Sequence, residues 1–205
     1  MNGYEFFFIA LFFLLLAADL YNIQTKYRIP IRNIYFRVYK FSIVVSWSVV
    51  AIVVFVASVI AVNPNLIVIK AFAAMLMGHL ILVFLHELGH AIAARCVGLQ
   101  VYGLQIHGVP DAYGGCYVQE PTTPGKAILM YSGGILAQLS VLTLTILYLV
   151  LYEEPNSIYT DFLFITFILW NIFLIVTNLI PRRNSSGATD GYWIFHHAFD
   201  KPENN

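Results

Sequence analysis

The sequence predicts an all-α membrane protein of about five transmembrane helices, with a small β-hairpin or sheet at the cytoplasmic side and a re-entrant C-terminal loop. Three observations predict this. Of 205 residues, 60% are hydrophobic and only 11% charged, with a mean hydropathy of +0.76, whereas a soluble domain carries about 25% charged residues. Five apolar segments, at roughly 4–20, 41–62, 66–94, 128–151 and 162–180, are near or above the length of about 20 residues that crosses the hydrocarbon as a helix. The basic residues then sort to one side. Lys26, Arg28, Arg32, Arg37, Lys40, Arg95, Lys126, Arg182, Arg183 and Lys201 share a face if the N-terminus is outside, and only Lys70 falls opposite. Cytoplasmic loops carry the excess of Lys and Arg, so that face is the cytoplasm.

The first span is the shortest and begins beside Glu5; no Lys or Arg precedes it, which argues against a secretory signal despite its Ala17-Ala18 end. The basic run that follows suits lipid head groups. The second span is rich in Val, Ile and Ser and has no ionisable residue inside it, so residues 1–65 read as an accessory transmembrane hairpin closed by the turn Asn63-Pro64-Asn65. Residues 66–205 read as a three-helix core with a short cytoplasmic tail.

The third span ends in His86-Glu87-Leu88-Gly89-His90. On a helix this spacing puts two imidazoles one turn apart on one face, the ligand spacing for zinc, with a glutamate between them that can act as a general base. Ionisable groups are expensive in lipid and mark function there. His79 shares the face of His86 and reads as a hydrogen-bonded core residue. Between Gly98 and Gly125 the pattern alternates: 99–108 and 114–119 read as short strands around a Pro110-Asp111 turn, with His107 on the surface. An open strand edge is not allowed in lipid, so this sheet belongs at the interface or under protein. Cys96 and Cys116 fall on the reducing side and read as free thiols.

The fourth span carries Ser132-Gly133-Gly134, small residues that let helices approach closely, and Gln138, which can hydrogen-bond to a neighbouring helix. The fifth ends at Asn178-Leu179-Ile180-Pro181, where Pro181 breaks the ladder. A turn-rich stretch then reaches Asp190-Gly191, with a short helix expected over 192–199. A catalytic zinc commonly takes three protein ligands and leaves a position for water. Asp190 is the candidate third ligand, on the same side as the histidine pair; as an alternative it caps the last helix. His196 and His197 are the fallback ligands. Asn178 either donates a hydrogen bond to a substrate backbone or oxyanion, or serves as a helix-end or interhelical partner. With zinc present, Glu87 would take a proton from water and deliver it to a leaving amine, which is peptide hydrolysis without a covalent intermediate.

Together these residues resemble the site-2 protease family of intramembrane zinc metalloproteases. The resemblance rests on His86-Glu87-Leu88-Gly89-His90 and on Asn178-Leu179-Ile180-Pro181 followed by Asp190-Gly191, with Gly114-Gly115-Cys116-Tyr117-Val118 and Ser132-Gly133-Gly134 between them. It covers residues 66–193. It implies a three-helix core opening toward the cytoplasm of a prokaryotic plasma membrane. It also implies zinc on His86, His90 and Asp190, with Glu87 as catalytic base. The implied partners are the bilayer and a membrane protein or peptide substrate, without nucleic acid; the oligomeric state stays open. Nine positions separate Pro181 from Asp190, longer than the compact form of the motif, and no segment is long enough for the PDZ domain that many members carry. The competing reading is a non-catalytic zinc-binding membrane protein, either a peptide-binding scaffold or a metal transporter. Polar residues through several spans would be expected of a transporter, and the first two spans offer almost none.

Overall fold

A computed structural model describes residues 33–38, 41–62, 67–106, 114–151, 158–184 and 187–199. The expected first span, Lys26, Arg28, Arg32, Lys40, the Asn63-Pro64-Asn65 turn, His107, the Pro110-Asp111 turn and Lys201 lie outside these residues. Among the described residues the order is β1 (Asn33–Val38), β2 (Phe41–Ser46), α1 (Trp47–Val62), α2 (Ile67–Cys96), β3 (Val101–Ile106), β4 (Gly114–Val118), α3 (Pro124–Leu151), α4 (Ile158–Leu179), β5 (Arg183–Asn184), β6 (Gly187–Ala188) and α5 (Asp190–Phe199). They fall into two compact units, one within Met1–Val83 and Gly103–Gly115, the other within Phe84–Tyr102 and Cys116–Asn205.

In the first unit, the helix expected over 41–62 is corrected at its start. Phe41–Ser46 is a strand, and the helix begins at Trp47. A short apolar run of β-branched residues suits a buried strand as well as a helix, and hydropathy alone does not separate the two. Partners on both sides decide it here. β2 pairs antiparallel with β1, from Asn33↔Ser46 to Val38↔Phe41, and parallel with β3, from Ser42↔Gly103 to Val45↔Ile106. The expected small sheet at 99–119 is therefore the far half of a four-stranded sheet of order β1-β2-β3-β4. In the same unit, Ile52 and Val56 of α1 pack against Ala73 and Leu80 of α2, with Phe55 and Met77 against the cluster.

In the second unit, α2 stops where Gly98 adopts a left-handed φ of 80°. Its N–H bonds to the Arg95 carbonyl at 3.0 Å and that of Leu99 to Ala94 at 2.8 Å, a glycine-terminated helix end. Gln119 N–H then donates to Gln100 O at 2.7 Å, joining the two chain ends that enter and leave the sheet. Helices α2 and α3 cross with their backbones in contact at Gly89 and Gly133. A Cβ on Gly133 would lie 2.5 Å from the Gly89 carbonyl oxygen and 2.6 Å from Ala93 Cβ. This is the close approach that small residues permit in membranes.

Ala73–Cys96 and Pro124–Leu151 are long and apolar enough to cross a membrane, and Leu163–Leu179 is a shorter apolar helix. α3 and α4 turn Leu136, Leu144, Val150, Leu169 and Phe173 outward, the face expected toward lipid. The hydroxyls of Ser140, Thr143 and Thr145 donate to carbonyls one turn back at 2.8–2.9 Å, which satisfies them where no water would.

Candidate metal centre

Helix α2 presents His86 and His90 one turn apart, buried, with their ring planes perpendicular and centroids 4.7 Å apart. Their Nε2 atoms face each other at 3.1 Å. His90 Nδ1 donates to the Met130 carbonyl of α3 at 2.8 Å. That bond puts the proton on Nδ1 and leaves the Nε2 lone pair facing inward, the arrangement of a metal-binding imidazole. Asp190 completes the cluster, with Oδ2 2.9 Å from His86 Nε2 and Oδ1 3.3 Å from His90 Nε2.

Ligand atoms of these three residues lie within 4.8 Å of one another, and among the described residues they are the group placed to hold a metal. A tetrahedral ion with bonds of about 2.0–2.1 Å spaces its donors roughly 3.3–3.4 Å apart. The observed 2.9–3.3 Å is close to that. Two imidazole nitrogens and a carboxylate converging at this spacing are a donor set that fits a divalent ion of the zinc type.

Asp190 arrives by a folded detour. α4 ends at Leu179, and Pro181 cannot continue it. The residues that lengthen the motif form a two-stranded turn, Arg183↔Ala188 and Asn184↔Gly187. Thr189 then gathers the ends. Its hydroxyl donates to Ile180 O at 2.7 Å and accepts from Arg182 N–H at 3.1 Å and Tyr192 N–H at 3.3 Å. The last contact caps α5. The expected helix start at Tyr192 is thus corrected to Asp190, and the cap is Thr189 rather than Asp190. Gly191 lies on the end of α4, where any Cβ would run into the Leu179 carbonyl. Arg183 braces the turn, with Nη1 3.1 Å from the Tyr192 hydroxyl and its guanidinium 5.6 Å from that ring.

The expected packing role of the small residues on α3 holds for Gly133 but not for Gly134. A Cβ on Gly134 would lie 2.5 Å from His86 Cε1, 2.6 Å from His90 Nε2 and 2.7 Å from His86 Nε2. This glycine is the wall against which the imidazole pair rests. Glu87 is buried beside the pair at 7% exposure. Asn178 is half-buried at the end of α4, and its side chain makes no hydrogen bond to the cluster among the described residues. His196 and His197 are outside the ligand group. His197 stacks on Tyr131 (6.1 Å), which also stacks on Trp193 (5.7 Å), fixing α5 against α3. His79 is half-buried earlier on α2, also outside the group. Both cysteines are free. Burial pushes the Cys116 thiol up to about 12, with the Glu87 charge adding to the rise, so it supplies little thiolate for metal or nucleophilic chemistry.

Two imidazoles and a carboxylate, with a glutamate between the imidazoles in sequence and apolar helices carrying them, make a group that could hold a metal ion. The family model for Peptidase M50B-like proteins matches residues 49–189, and the chain belongs to that family. Its fold is similar to a solved structure, the Site-2 Protease from Methanocaldococcus jannaschii, with a TM-score of 0.55 and 18% sequence identity over 83% of this chain and 73% of that one. No curated protein matches this sequence. The resemblance read from the two motifs is thereby confirmed at the level of the site-2 protease family.

Proposed function

We propose that this protein is an intramembrane zinc metalloendopeptidase that hydrolyses peptide bonds in transmembrane segments or membrane-associated peptides. The observation that carries the reading is the convergence of His86, His90 and Asp190, with His90 held by Met130 in the metal-binding tautomer. His86, His90 and Asp190 would hold the ion. When bound, zinc supplies Lewis acidity toward a scissile carbonyl and lowers the pKa of water.

The chain's own residues do the rest. Glu87, on the turn that carries both imidazoles, accepts the proton of the attacking water and passes it to the leaving amine. Asn178, at the open end of α4, donates to the substrate backbone. A helical substrate hides its carbonyls in its own hydrogen bonds and must unwind to react. β4 stands at the edge of the sheet and would hold the unwound stretch by edge pairing. Apolar helix surface and the basic-residue pattern support a multi-pass protein whose site opens to the cytoplasm, with residues 66–205 as the proteolytic core.

The test is cleavage of co-expressed membrane peptides by wild type and Glu87→Gln, with zinc content measured in parallel. Glu87→Gln should retain zinc and lose hydrolysis by about 10²–10⁴-fold. Undiminished cleavage would reject Glu87 as the base. A zinc-loaded wild type inactive on every membrane peptide would favour the scaffold or transporter reading.

A further inference from the structure

Among the described residues, His86 Nδ1, Gln138 Oε1 and Asn171 Oδ1 are buried without a hydrogen-bond partner, as is Asp190 Oδ2 in the candidate metal cluster. The residues of the first three are buried to 7%, 1% and 0% exposure, and they share a neighbourhood. The His86 ring rests on Gly134, whose Cβ would lie 2.5 Å from Cε1, the ring carbon bonded to Nδ1. Gln138 follows Gly134 by one helical turn on the same face. Asn171 Nδ2 donates to the Gln138 carbonyl at 3.1 Å, which brings its own oxygen to that turn of α3.

The hydrogen balance is specific. With Nε2 turned toward the other ligands, neutral His86 carries its proton on Nδ1 and offers one donor; the two amides offer two acceptors. A single water accepts one hydrogen bond and donates two, and buried waters typically make about three. We propose that Gln138 and Asn171 hold an ordered water that accepts from His86 Nδ1–H, making both amides positioning residues for that imidazole. The inference rests on the zinc reading above. It gives His86 the outer partner that Met130 O gives His90, since metal-bound imidazoles donate their second N–H to a fixed acceptor.

The experiment uses the full-length protein in detergent. Zinc affinity is measured by chelator competition, and thermal unfolding is followed on the zinc-free protein. Gln138→Met and Asn171→Leu keep side-chain size and remove the acceptors. Each should weaken zinc binding about 10–100-fold, while the zinc-free melting temperature stays near that of wild type because side-chain volume is kept. Gln138→Glu, which keeps an acceptor, should stay within about threefold of wild type. Zinc affinities unchanged in both apolar variants would overturn the water-bridge assignment while leaving the metal site standing. A loss of affinity matched by a fall in zinc-free melting temperature, and not rescued by Gln138→Glu, would assign the amides to packing and overturn it equally. A wild type that binds no zinc would instead sink the metal reading and this inference together.

Discussion

Gly134→Ala adds one methyl group, and the structure says where it lands. The new carbon would sit 2.5–2.7 Å from atoms of both imidazoles, whereas non-bonded carbon contacts settle at about 3.5–4.0 Å. One side must give way by roughly 1 Å. Drawing α3 away from α2 would open the close Gly133–Gly89 backbone contact, which is the costlier adjustment. The rings therefore swing away, and metal-ligand distances tolerate only about 0.2 Å. We expect zinc affinity to fall at least about 100-fold, at the upper end of what losing an outer partner costs. Zinc per protein after dialysis against a graded chelator series reads this directly. Gly125→Ala, on the same helix with nothing within 4 Å of an added Cβ, is the control and should bind zinc as wild type does. Stoichiometric zinc in Gly134→Ala at the chelator strength that wild type survives would refute the view that this glycine seats the imidazoles.

Three further outcomes are expected. Thr189→Val should cost about 1 kcal/mol of stability through the lost cap and weaken zinc by shifting Asp190, while Thr189→Ser should restore both; melting and zinc titration check this, and a Val variant equal to wild type would deny Thr189 its role. Cys96 should react with a maleimide at pH 8 well before Cys116, because a thiol near 12 is about one part in ten thousand thiolate there; equal labelling rates by mass spectrometry would contradict the burial of Cys116. Removing zinc with a chelator should raise hydrogen exchange at the start of α5 far more than in α3, since Asp190 is the first residue of that helix; unchanged protection there would show that the aspartate is held without the ion.

The histidine pair was legible because its spacing is a property of one helix: His86 and His90 fall on one face whatever surrounds them. Asp190 was legible only through its neighbours in sequence, and its route was not, because Thr189 works by gathering atoms from Ile180, Arg182 and Tyr192. Gly133 and Gly134 look alike in sequence; a helix rotation of one residue separates a backbone contact from a ligand wall. The strand at Phe41–Ser46 was hidden because an apolar run reads the same in a helix, and its partner β3 lies some sixty residues away. A local signal does exist in β1, where Asn33-Ile34-Tyr35-Phe36-Arg37-Val38 alternates, although the basic residues around it equally suit a membrane surface.

The detour that delivers Asp190 has a consequence for biogenesis. The histidines emerge from the ribosome a hundred residues before the aspartate, a lag of about 5–20 s at ordinary translation speed. Until the hairpin and its threonine knot have closed, the nascent chain carries an incomplete cluster. On the reading proposed above, metal binding would wait until Asp190 itself has been made and folded onto the histidine pair.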